Sequence, residues 1–194
     1  MEKLTKEQEI IKLLFKDFSA SYNSRNISKI IGISHAGAFK IFKKLEKREI
    51  VKSKRIGKAL IYSLNMKNPI TCKEIEMALV IEAQNFRRWI EEFRELEDKI
   101  KFLILFGSII RNEKAARDID LLIVAYKEKF KDIEKIIEET QKYTNRKIHP
   151  LIQTLENFTK DVGKKNKVML EILKTGIVLF GQEEFRKTLE LILK

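Results

Sequence analysis

The sequence predicts a mixed α+β protein, and three observations carry that expectation. Apolar residues in the first third recur at helical spacing and lead into a pair of short strand-like runs. A long amphipathic stretch follows, and the last half alternates brief continuous apolar runs with helical segments, as a small mixed sheet packed by helices would. Charge divides the chain in the same way. Residues 1–70 carry 16 Lys/Arg against 6 Asp/Glu, a net of +10, whereas the remaining residues carry 24 against 22, a net of +2. A basic first third joined to a nearly neutral remainder predicts that one part meets a polyanion and the other does separate work.

At 194 residues and 44% hydrophobic, the chain can bury one or two sizeable cores. Its longest apolar runs, 102–106 and 121–126, fall well short of the roughly 20 residues that span a bilayer. The opening MEKLTKEQE has no apolar signal core, so the expected location is the cytoplasm, with no membrane partner. Cys72 stands alone and is expected to be a small buried apolar residue rather than a disulfide or metal partner.

Within residues 5–18, Ile10, Ile11, Leu14, Phe15 and Phe18 share a helical face, with Thr5 and Gln8 placed to form a capping box. A short helix over 27–31 stops at Gly32, and Ser34 can cap a third running to about Arg48. On that third helix Ala38, Phe42 and Leu45 form one face, while His35, Phe39, Lys40, Lys43 and Lys47 occupy the rest. Ile50-Val51 and 59–64 then read as strands flanking a basic hairpin over 52–58, with Gly57 near its turn.

Residues 5–65 therefore resemble the winged helix-turn-helix domains of archaeal and bacterial regulators, with the run SHAGAFKIFKKLEKREIV carrying most of the likeness. Between Ser34 and Lys58 nine basic residues face two acidic ones. The resemblance implies a double-stranded DNA partner, the recognition helix in a major groove and the wing along the backbone. Lys40, Lys43, Lys44, Lys54, Arg55 and Lys58 are the candidate phosphate contacts, and His35 and Phe39 the candidates for base edges or thymine methyls. Serving as a protein interaction module is the rival role of such a domain.

Thr71 and Glu74 can open a helix over 71–98 whose stripe includes Ile75, Leu79, Ala83, Phe86, Ile90 and Phe93. Unbroken, it would span on the order of 40 Å. It would brace two domains or pair with its copy in a homodimer, and Trp89 reads as packing. The expected organisation is residues 1–66, a connecting helix over 67–100, and a second domain over 101–194.

In that second domain an apolar strand over 101–106 runs into Gly107-Ser108, where the backbone can turn tightly against a phosphate. Asp118 and Asp120 open the next strand, and their spacing of two puts both carboxylates on one side. Such a pair repels unless a proton or cation intervenes, and magnesium suits its oxygen donors. A helix over 130–144, a strand over 147–154, a helix including 168–173, a small strand over 177–180 and a last helix over 183–193 complete the expected elements.

Residues 101–181 resemble the nucleotidyltransferase superfamily that includes DNA polymerase β, specifically its minimal prokaryotic members. Gly107, Ser108, Arg111, Asp118 and Asp120 match the motif. The resemblance implies that Gly107, Ser108 and Arg111 hold nucleoside triphosphate and that the catalytic aspartates Asp118 and Asp120 ligate magnesium, in a site that can take two ions. Asn112 and Arg117 stand where glycine and serine are frequent, and the third carboxylate expected from a later strand is missing from KIHPLIQT. His149 falls near that position, and Glu156 would replace the acid only if the chain folded back. His149 is expected to be a partly buried structural histidine, with action as a base its rival role.

Three functions remain open to the sequence. The first is a DNA-binding transcriptional regulator whose second domain binds nucleoside triphosphate and magnesium. The second is an active nucleotidyltransferase with a protein or RNA acceptor, including an antitoxin that modifies or masks a helical toxin. The third makes both domains interaction modules.

Overall fold

The computed structural model describes residues 3–192 and divides them into two units, Lys3–Ala78 and residues 79–192. In the first unit, helix α1 (Lys6–Lys16) begins at Thr5, which forms the expected capping box with Gln8. Helix α2 (Ser24–Ile31) starts three residues earlier than its apolar residues predict, because Asn23 and Asn26 make a second capping box. Helix α3 (His35–Lys47) is capped by Ser34 as expected. Strands β1 (Val51–Ile56) and β2 (Ala59–Leu64) pair antiparallel with Ile56 opposite Ala59, which leaves a two-residue turn at Gly57-Lys58. Gly57 supplies the positive φ, 58°, that such turns need.

The wing is fixed to the helices at two points. Tyr22 bridges to Tyr62 through the backbone, and the Tyr62 ring stacks on Phe42 of α3 at 3.8 Å between centroids. Ile10, Ile11, Phe15, Ile27, Phe42 and Leu45 form the buried centre of the unit. Arg48 joins Glu7 of α1 to Glu74, closing the helices with an ion-pair network.

The long helix expected over 71–98 is three pieces. Helix α4 (Pro69–Gln84) is followed by α5 (Arg87–Glu92) and a 3-10 turn, Arg94–Lys99. The start lies at Asn68-Pro69, where the Asn68 side chain accepts from the Ile70 amide. Thr71 is already inside the helix and donates to the Ile50 carbonyl, and Glu74 is drawn to Arg48, so neither forms the predicted box. The break has a local cause: the Asn85 side-chain amide caps the carbonyls of Ile81 and Glu82. Beyond it Trp89, Phe93 and Leu96 are buried, which agrees with a packing role for Trp89. Cys72 is only half-buried.

The second unit is built on a four-stranded mixed sheet in the order β5-β4-β3-β6. Its strands are β3 (Phe102–Phe106), β4 (Asp118–Val124), β5 (Lys147–Gln153) and β6 (Ile177–Phe180). Antiparallel pairing joins β3 to β4 and β6, while β4 and β5 run parallel. Helices α6 (Ser108–Arg111), α7 (Phe130–Gln141), α8 (Leu155–Gly163), α9 (Lys167–Thr175) and α10 (Gln182–Ile192) complete it. The expected end of the last helix, at residue 193, lies outside the described residues.

Both sheet faces are covered, which explains the continuous apolar runs of β3 and β4. On one, Leu103, Leu121 and Ile123 join Trp89, Phe93, Ile133 and Ile137. On the other, Phe102 meets Phe158 of α8 and Phe185 of α10 edge-on, at 5.1 and 5.4 Å. Among the described residues no helix is long and apolar enough to cross a membrane.

Candidate functional site

Gly107 closes β3 with φ 82° and ψ −151°, a conformation open to glycine alone. A Cβ there would overlap Asp120 Oδ2, so the turn needs glycine for its backbone angle and for its neighbour. Ser108 follows, exposed, at the start of the four-residue α6, and Arg111 ends that helix in solvent. Asn112 accepts a hydrogen bond from the Ala115 amide and so organises the turn after α6.

Asp118 and Asp120 lie on the same side of β4, both half-exposed, while Ile119 between them is buried on the other face. Register places Phe106 beside Asp120 on one flank and His149 on the other. Lys147 stands opposite Asp118. His149 Nδ1 is 3.6 Å from Asp120 Oδ1, beyond hydrogen-bond reach. The His149 side chain, on the edge strand of the sheet, keeps 45% of its surface. Glu156 is exposed in the first turn of α8.

Two features of the site have no signal in the sequence. Arg146, just before β5, donates to the carbonyls of Ala116 (3.0 Å) and Glu113 (2.7 Å), and so clamps the loop that delivers Asp118. Only the folded proximity of residues some thirty apart reveals it. Beside Gly107, a cleft of about 320 Å³ is lined by Phe106, Gly107, Arg111, Lys167, Val168, Glu171, Ile172 and Thr175. Lys167 is one of three lysines, with Lys164 and Lys165, that the sequence offers as nucleotide or nucleic-acid contacts while reading them by default as solvated.

For a metal, the donor chemistry fits one hard cation. Two carboxylates face solvent together, and among the described residues neither is paired with a lysine or arginine. Among those residues no group of three His, Cys, Asp or Glu is arranged to hold a metal ion.

Residues 88–185 match the family described as "Polymerase beta, Nucleotidyltransferase". The chain belongs to that family. The match runs from within α5 into the start of α10, so Gly107, Ser108, Arg111, Asp118 and Asp120 all fall within the nucleotidyltransferase domain. No curated protein matches the chain. Among solved structures, the adhesin competence repressor of Streptococcus pyogenes is similar with a TM-score of 0.38 and 10% identity, covering 73% of this chain and 82% of that one. A cysteine-to-serine mutant of Lactococcus lactis ZitR in complex with DNA has a TM-score of 0.32 and 27% identity, covering 50% of this chain and 62% of that one.

In that unit α3 presents Phe39, 43% exposed, with Lys40 beside it and Lys43 Nζ 5.8 Å from the Phe39 ring centroid. Lys43 also pairs with Glu46 at 2.8 Å, and Glu46 accepts from Ser53 of the wing. Lys44 is drawn to Glu7 of α1 at 2.7 Å, on the side of α3 that meets α1. His35 Nε2 lies 2.9 Å from Ser24 Oγ of α2. Lys54, Arg55 and Lys58 are exposed on the wing. The eight candidates thus split: Phe39, Lys40, Lys54, Arg55 and Lys58 face solvent without an ion pair among the described residues, while His35, Lys43 and Lys44 already have partners within the unit.

Proposed function

We propose that this nucleotidyltransferase-family protein is a cytoplasmic DNA-binding transcriptional regulator whose second unit binds a nucleoside triphosphate with magnesium. The observation that carries the nucleotide part is the packing of Gly107 against Asp120. It sets the glycine turn and the exposed Ser108 close to Asp120, on a strand where, among the described residues, neither Asp118 nor Asp120 has a lysine or arginine partner. Asp118 and Asp120 would hold the cation, which supplies charge neutralisation for the phosphates; Ser108 and Arg111 would take phosphate oxygens directly. The DNA part is supported by a helix-turn-helix whose third helix and wing carry exposed cations on consecutive elements.

The exposed imidazole beside Asp120 favours one rival, a working nucleotidyltransferase with an RNA or protein acceptor, including an antitoxin that modifies a helical partner toxin. One experiment separates the readings. The full chain is incubated with magnesium, labelled triphosphates, tRNA and its own co-purifying proteins, and scored for retained and for transferred label. Retention without transfer, together with salt-sensitive duplex binding, is the expected result. Covalent transfer would establish the rival, and absence of both retention and duplex binding would leave only an interaction module.

A further inference from the structure

We infer that the aspartate site takes a single divalent cation per bound nucleotide, and that His149 is the residue that sets this limit. The inference rests on the nucleotide-binding reading above and specifies how that site is charged.

Two divalent ions that act on one phosphoryl group sit roughly 3.5–4 Å apart, and each carries two positive charges. Holding them so close requires surrounding negative charge, because their mutual repulsion is strong at that distance. This face supplies two carboxylates, Asp118 and Asp120, enough to neutralise one such ion. The neighbouring strand fills the positions in register with Lys147 and His149. Lys147, in register with Asp118, adds no negative charge there. His149, 3.6 Å from Asp120, brings no negative charge whatever its proton count. Glu156 is exposed on the first turn of the following helix, two residues past the Thr154 that caps it. Among the described residues no third acid joins the pair to form a metal-holding group.

The second ion would therefore rest on nucleotide phosphates alone, beside an imidazole. A single ion bound through Asp118 and Asp120 holds the nucleotide and leaves no cation to steady an incoming hydroxyl. The imidazole position is the one where a carboxylate would change this, since it shares a face with Asp120 and is open to solvent.

The test counts ions directly. The full chain is saturated with a non-hydrolysable triphosphate analogue, and manganese, used as the paramagnetic probe, is titrated in while free and bound ion are measured. Expected are one manganese per bound nucleotide for wild type and for His149→Asn, and two for His149→Asp. Two ions in the wild type overturn the inference, and one ion in His149→Asp shows that His149 does not set the limit. If no nucleotide is retained by the wild type, the nucleotide-binding reading itself fails, and this inference with it. All three proteins should fold alike, because the side chain is exposed.

Discussion

Gly107 and Asp120 are in such close apposition that the Asp120 carboxylate occupies the space a side chain at 107 would need. One residue thus sets the turn after β3 and the position of a carboxylate on β4. Gly107→Ala would strain the backbone and displace Asp120 together. We expect a stability loss of about 1–3 kcal/mol by thermal unfolding. Triphosphate affinity should fall by about tenfold or more, roughly 1.4 kcal/mol. Ser108→Ala, which adds nothing to the turn, should weaken binding while leaving unfolding unchanged. Equal unfolding midpoints for Gly107→Ala and wild type would contradict the packing argument.

The partition of cations in the winged unit predicts which of them DNA uses. Replacing Lys40, Lys54 and Arg55 by alanine should weaken duplex binding across all sequences and lower the slope of log affinity against log salt by about one for each phosphate no longer neutralised. Lys44→Ala should change the slope least, because Lys44 already neutralises Glu7. Fluorescence anisotropy over a series of salt concentrations checks both. A slope unaffected by the triple change would move the DNA-binding surface off α3 and the wing.

Arg146 clamps the loop between α6 and β4 through two carbonyls. Arg146→Ala should cost about 1–2 kcal/mol, since it removes charge-assisted hydrogen bonds at a half-buried position. Hydrogen exchange should quicken at residues 113–118 while the sheet amides of β3 stay protected. Uniform quickening across the unit would mean that Arg146 supports the whole domain rather than this loop.

Tyr22 links the helices to the wing and carries a pH dependence. Burial first, and then its hydrogen bond to Asp17, push the phenol well above its usual value of 10.0. The folded state therefore resists ionisation that the unfolded chain undergoes near pH 10. The Tyr22 contribution is complete below that pH and declines as pH rises above it. Tyr22→Phe should be less stable than wild type at pH 8, by about 1 kcal/mol. The gap should narrow between about pH 10 and 11. A gap that widens with alkali would reverse the sign and refute the assignment.

Much of the fold is legible in the sequence because local signals and packing agree. Thr5 with Gln8 and Ser34 each cap the helix they precede, and the apolar runs of β3 and β4 are buried on both faces. The misreadings fall where local and tertiary demands compete. Thr71 and Glu74 have the spacing of a capping box, but the Ile50 carbonyl and Arg48 engage them instead, and Asn68-Pro69 starts the helix. The break at Asn85 is equally hidden, since an asparagine in an amphipathic stretch does not announce that its amide will cap the preceding turn. At the site, spacing alone places Asp118 and Asp120 together. Pairing with β5 is what brings Lys147 and His149 alongside them, and pairing register is set by the whole sheet.

The most direct test of the central claim is an equilibrium titration of the full chain with nucleoside triphosphate, in magnesium and in chelator. Wild type, Asp118→Asn and Asp120→Asn are compared. Saturable binding that needs magnesium and is lost in both variants, with unchanged unfolding midpoints, is the predicted result. Binding that survives in chelator or in both variants would contradict it.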